Sequence, residues 1–481
     1  MTVAPDIGAR RAPLAQSARA GRRRRIQPRA RWGEARLLLL VAVTLLVGSI
    51  SLGATLTGAF VPYDARDLAI YLGALLVAHL AQVLAGRRSD QILLPVMGML
   101  GGISLLLMQR LPQGLVTMNL GATELGLGEV QLLWLVLAIA LATVVGVAVR
   151  SDRWLRRYKY TWAALGIGLL LLAFVLGTDI GGSRLSVRIG PFSGQPSELL
   201  KVILVVFLAG YLSENRSLLI EQDTRVGPLR LPPLPYLAPM VAMWAIALGI
   251  VVIQRDLGAA LLFFAVFLAL VYAATGRVSL VVIGLVLFLA GSALMAALFG
   301  HVRARIDVWL DPFGDPLGAG YQIVQSLHAF ARGGLLGVGL GNGLPLVGGR
   351  IPIPEVHTDF PLAALGEELG LVGMVAILAL YLVIVQRGLR IGAAAADDFR
   401  AILATGLALV IGVQAFIIAA GNLSVLPLTG VTLPLISYGG SSLLANALVV
   451  GLLLALSDKG VEPPPPPGRR GWLSRLPGRG R

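Results

Sequence analysis

The sequence predicts an all-α protein that crosses a membrane about twelve times, and three observations support that fold class. Hydrophobic residues make up 56% of the chain and charged ones only 14%, far from the mixture of an ordinary soluble domain. Apolar runs of about 18–25 residues recur, each long enough as a helix to cross the hydrocarbon core. The cations are also unevenly placed. Of 40 Lys and Arg residues, 30 fall in the alternate segments that put both termini in the cytoplasm, and 9 fall in the opposite ones. That asymmetry is the positive-inside signal, and moving one span would invert everything downstream. It gives the net charge of +15 an orienting role and argues against a nucleic-acid partner. Cysteine is absent, which excludes disulfides and thiolate metal sites.

In chain order, residues 1–36 read as a basic, disordered cytoplasmic tail with the run Arg22–Arg25. The apolar run that follows is too long for a cleaved signal peptide and lacks a small-residue cleavage site. Spans are expected at 37–60, 66–85, 92–109, 130–149, 161–177, 195–212, 236–254, 257–275, 278–300, 361–386, 402–420 and 438–457. The stretch 37–160 is then an N-terminal set of helices, 161–458 a membrane core, and 459–481 a Pro/Arg-rich disordered cytoplasmic tail containing Pro463–Pro467. Four outer loops are expected, at 110–129, 178–194, 301–360 and 421–437.

The largest of these, 301–360, carries Asp307, Asp311, Asp315, Tyr321, Gln322, Gln325, His328 and Arg332. Its run Gly333–Gly343 resembles a phosphate loop only superficially, because no strand precedes it and no Lys-Ser/Thr follows. Close backbone packing in a re-entrant segment explains that composition better. The aspartates are compatible with a divalent cation, but their spacing specifies no metal.

Polar groups at membrane depth are the informative residues. In Gln195-Pro196-Ser197-Glu198, the proline marks a helix start. Glu198 and Lys201 lie three apart on one helix face. They either neutralise each other between two helices or line a polar cavity that admits a headgroup. Asp256 interrupts a long apolar stretch, as a chain reversal requires. Arg184 and Arg188 stand in an outer loop, where an arginine fork suits phosphate recognition and an ordinary solvated role is equally compatible. His79 reads as a lone intramembrane packing residue.

The strongest candidate is Asp359, in His357-Thr358-Asp359 just before Pro361. The helix N-terminus favours its ionised form while partial burial opposes it, and a carboxylate balanced in this way suits a general base. His357 is expected to be its hydrogen-bonding neighbour. Glu367 and Glu368 differ by about 100° around a helix, so at most one faces the same cavity.

The segments QPSELLK, DPFGDPLGAGYQIVQSLHAFARGGLLGVGLGNG, PEVHTDFPLAALGEELG and LPLTGVTLPLISYGGSSLL resemble, in order and spacing, the signature segments of the RodA/FtsW/SpoVE (SEDS) family. The resemblance covers roughly residues 160–458. It implies a peptidoglycan glycosyltransferase that polymerises lipid II at the outer face, in complex with a class B penicillin-binding transpeptidase. It implies the catalytic role for Asp359 and sets Glu198, Lys201, Arg184 and Ser437–Ser442 in matching motifs; substrate-binding roles are expected for Glu198, Lys201, Arg184, Gln325, Arg332, His357, Glu368, Ser437, Tyr438 and Ser441. Gln195, Ser197, Asp256 and Glu367 are expected to support them. Three departures from the family pattern are visible. Arg184-Leu185-Ser186 lacks a second arginine and a tryptophan, Arg255 replaces a proline, and Pro361 replaces an isoleucine. The implied chemistry is inverting transfer with undecaprenyl pyrophosphate as leaving group, Lys201, Arg332 or a divalent ion offsetting its charge. A lipid II flippase and a silent scaffold for the transpeptidase are the competing readings. The concentration of polar residues at the outer ends favours the enzyme over the flippase.

Overall fold

A computed structural model describes residues 28–120, 123–180, 183–189, 192–221, 224–226, 229–231, 256–344 and 351–458, with isolated positions between 238 and 252. Most of both expected tails and most of the expected span at 236–254 lie outside the described residues. The helices are α1 (Trp32–Thr57), α2 (Ala65–Leu84), α3 (Leu93–Arg110), α4 (Leu127–Ala148), α5 (Arg153–Arg157), α6 (Lys159–Leu176) and α7 (Pro196–Glu221). They continue with α8 (Leu257–Thr275), α9 (Val278–Leu298), α10 (Gly300–Leu310), α11 (Tyr321–Gly333), α12 (Pro361–Ala393), α13 (Asp398–Asn422) and α14 (Gly440–Ser457). Among the described residues ten helices are long and apolar enough to cross a membrane.

Short antiparallel strands pair Met118–Leu120 with Thr123–Leu125, Ser183–Ile189 with both Thr178–Ile180 and Phe192–Gly194, and Thr224–Val226 with Leu229–Leu231. The first two sets lie in the expected outer loops 110–129 and 178–194, where an all-α reading expects no strand. In the longest strand, Ser183–Ile189, polar and apolar residues alternate from Arg184 onward, the period-two signature of a strand.

Contacts sort the helix ends into two sets. One set joins Arg110 to Glu368, Gln195 and Ser197 to Asp256, Trp309 to Ser424, and Asn422 to Asp359. The other joins Arg87 to Asp458, Asp90 to Arg387, Arg216 to Asp398 and Asp152 to Arg400. The sets are those expected from alternate crossings. His79 is not alone, since its Nδ1 lies 2.7 Å from Glu34 Oε1, and Glu34 also pairs with Arg31. Glu34 sits on the preceding helix, α1, out of reach of any local sequence pattern.

Helix α12 breaks at Gly370, where φ is 66° and ψ −168°. The break frees the carbonyls of Glu367 and Glu368, which accept from the N–H groups of Val338 and Gly339 at 3.0 Å each. In return Leu371 and Val372 donate to the carbonyls of Gly334 and Leu335, at 2.9 and 3.1 Å. The glycine-rich run thus supplies the partners that a broken helix lacks. Gly337 has φ 81°, and a Cβ there would stand 2.1 Å from the Glu368 carbonyl oxygen. Gly337→Ala is therefore expected to lower the thermal midpoint, costing more than about 1 kcal/mol from the left-handed backbone alone. An unchanged midpoint would refute the close-packing account.

Candidate active site

The site grows from the turn Glu355–Phe360. The Glu355 carbonyl accepts from the N–H groups of Thr358, Asp359 and Phe360, at 3.3, 2.9 and 3.3 Å. This winds the chain into the first turn of α12, with Pro361 at its start, where a missing N–H costs nothing. Three consecutive carbonyls are then gripped from outside. The Tyr438 N–H donates to His357 at 2.8 Å, the Ser437 hydroxyl to Thr358 at 2.6 Å, and the Asn422 amide to Asp359 at 2.9 Å. With the backbone fixed at each residue, the Asp359 side chain projects from a rigid support.

Asp359 is half-buried. Burial raises its pKa to about 6, and the negative charge of Glu355 pushes the same way, while Thr358 and Arg305 pull it back. It is thus mostly ionised near neutrality yet close to a matched proton acceptor. His357 is buried, which lowers its pKa against the opposing charge of Glu355. Its ring lies 5.8 Å from that of Tyr438, and its Nδ1 has no hydrogen-bond partner.

The segment Leu428–Ser442 forms the opposite wall. A Cβ at Gly430 would lie 3.8 Å from Asp359 Oδ2. Behind this wall lies a closed polar network. Lys201 Nζ donates to Glu198 Oε2 at 2.6 Å, Gln414 Oε1 at 2.7 Å and Asn446 Oδ1 at 3.2 Å. Gln414 donates to the Thr432 carbonyl at 2.8 Å, and the hydroxyls of Thr432 and Ser442 lie 2.6 Å apart. Asp256 caps α8 through Ala259 N–H at 2.9 Å, and receives Gln195 at 3.2 Å and Ser197 at 3.3 Å.

The two glutamates of α12 go to different cations. Glu367 accepts from Arg332 Nε at 2.8 Å, and Glu368 pairs with Arg110 of α3. No contact joins either to Asp359. Gln325 is half-buried on α11, whose Ser326 donates to the Asn422 carbonyl at 3.0 Å. Ser441 is half-buried in the first turn of α14. Arg184 lies on the strand Ser183–Ile189, with its side chain outside the described part. Asp315 turns back to the N–H groups of Gly318 and Ala319, at 3.0 and 2.9 Å. Among the described residues no three histidine or carboxylate groups converge as a metal site.

A sequence model of the FtsW, RodA and SpoVE cell cycle proteins matches residues 91–461, which include every described contact to Asp359. The chain belongs to that family. Its FtsW/RodA/SpoVE match takes in α3 and α4 as well as the segments quoted above. The peptidoglycan glycosyltransferase RodA of Mycobacterium tuberculosis is 40% identical over 407 residues, 84% of this chain and 85% of the relative. A probable peptidoglycan glycosyltransferase FtsW of Nitrosococcus halophilus is 39% identical over 329 residues, 66% of this chain and 80% of the relative. Among solved structures, a chain of a peptidoglycan synthase complex that coordinates polymerization and crosslinking matches with TM-score 0.57 and 24% identity. It covers 89% of this chain and 97% of that one, a likeness that shows the shared fold. The family and the ten apolar helices make this a multi-pass membrane protein.

Sequence reasoning did not single out Arg305, Glu355, Gln414, Asn422, Thr432 or Asn446. Gln414, Asn422 and Asn446 did carry a signal, being amides inside otherwise apolar runs, and all three are fully buried. Nothing in the order of residues announced that Arg305 stands near the site.

Proposed function

We propose that the protein is a peptidoglycan glycosyltransferase that polymerises lipid II at the outer face of the cytoplasmic membrane. The observation that carries this is Asp359, a carboxylate held at three successive carbonyls, with its pKa raised to about 6, at the mouth of a membrane helix. The names of the relatives at 40% and 39% identity support the same chemistry. In the proposed step, the 4-hydroxyl of the incoming lipid II sugar forms a bond to the anomeric carbon of the growing strand. The bond from that carbon to the diphosphate breaks with inversion, and undecaprenyl pyrophosphate leaves with the electron pair. Asp359 takes the hydroxyl proton as general base. A class B penicillin-binding transpeptidase is the proposed partner, and the longer coverage of mycobacterial RodA favours a role in elongation.

Translocation needs polar groups that a headgroup can reach through the membrane. Lys201 is 2% exposed and its three donor hydrogens meet three acceptors. That closure supports the enzyme over the flippase.

The base must be deprotonated, so the polymerisation rate should fall as pH drops through about 6. A steady-state profile with purified lipid II measures it. An acid limb centred near the ordinary aspartate value of about 4 would remove Asp359 from the role.

A further inference from the structure

Transfer from a lipid-linked diphosphate needs a cation at the leaving group, and among the described residues most cations around the site are already engaged. Lys201 has three acceptors. Arg332 holds Glu367, Arg110 holds Glu368, and Arg303 reaches Asp307 at 3.9 Å. Arg305 differs from all of these. It is exposed on α10 and, among the described residues, forms no ion pair. Among the described residues its one hydrogen bond runs from Nη1 to the Leu428 carbonyl at 3.2 Å.

That bond places the guanidinium beside the reaction centre. Leu428 is two residues from Gly430, which abuts Asp359. Thr429, between them, is pressed against the start of α8, where a Cβ at Gly258 would meet its carbonyl oxygen at 2.6 Å. The charge of Arg305 acts on both flanking carboxylates, Asp256 and Asp359. Its place in the chain is also suitable. The apolar span α9 ends at Leu298 and α10 begins at Gly300, so Arg305 follows the end of an apolar span by seven residues. A diphosphate that joins a buried polyprenyl tail to a solvated sugar must lie near such an end.

We propose that Arg305 is a substrate-binding residue that grips the diphosphate of the polyprenyl-linked sugar at the site containing Asp359. A guanidinium fork with free donors matches phosphate oxygens bidentately, and its charge offsets the negative charge that develops as the leaving group departs. This rests on the glycosyltransferase reading for its catalytic consequence, but the binding claim stands separately.

The test uses the full chain in nanodiscs of zwitterionic lipid and two measurements. Direct binding of undecaprenyl pyrophosphate should weaken at least tenfold in Arg305→Ala and partly recover in Arg305→Lys, which keeps the charge but not the fork. Arg303→Ala, which removes only an exposed ion pair, should bind like wild type. In lipid II polymerisation, Arg305→Ala should raise KM at least tenfold and lose sensitivity to added undecaprenyl pyrophosphate. Equal binding by Arg305→Ala and wild type, or no binding by wild type, overturns the assignment of Arg305. Arginine-dependent binding without polymerisation would instead overturn the glycosyltransferase reading and leave the diphosphate site standing.

Discussion

Asp359→Ala is expected to reduce lipid II polymerisation by about a hundred- to ten-thousand-fold, the usual contribution of a positioned general base. The fold should survive, because what ties this turn to the rest of the chain is backbone. The contacts from Tyr438, Ser437 and Asn422 all go to carbonyls that alanine keeps. Asp359→Asn is the sharper variant, since it preserves shape and removes only the proton acceptor. Its thermal midpoint should match or exceed wild type, because burial disfavours the charge that it removes. Strand length on gels, with the midpoint measured in the same detergent, checks both variants. Polymerisation within about threefold of wild type would exclude Asp359 as the base. A collapsed midpoint in Asp359→Asn would instead assign it a structural role.

Lys201→Met should strongly destabilise the membrane core. It keeps most of the side-chain volume but leaves Glu198 facing a buried site without its cation, and strips Gln414 and Asn446 of a donor. Removing one partner of a buried pair costs about 3–5 kcal/mol. Glu198→Gln combined with Lys201→Met should recover part of that loss, because the uncompensated charge is then gone. Thermal unfolding of the two single variants and the double one forms the cycle. A Lys201→Met loss below about 1 kcal/mol would argue against the closed network, and so would a double variant no more stable than Lys201→Met. The network joins α7, α13 and α14 behind the wall that faces Asp359. A partial loss of activity should therefore accompany the loss of stability.

The division between what sequence shows and what folding decides follows the range of the forces involved. Apolar runs and charge asymmetry are local properties of the chain, so the membrane class and most of the described spans were legible before any coordinates. Asp359 was legible for the same reason, as a carboxylate beside a helix-starting proline. The short hairpins were missed although Arg184–Ile189 alternates, because the alternation is brief and sits between long apolar runs.

The sequence by itself determined that a costly carboxylate sits at a loop–helix junction. Only the tertiary structure decided what surrounds it, since Asn422, Gly430, Ser437 and Tyr438 lie more than sixty residues away along the chain. It also sent Glu367 and Glu368 to separate arginines, enclosed Lys201 among three acceptors, and left Arg305 free of any described ion pair. Hydrogen bonds and ion pairs act over about 3–4 Å in space, and no one-dimensional pattern encodes which distant side chains come within that range.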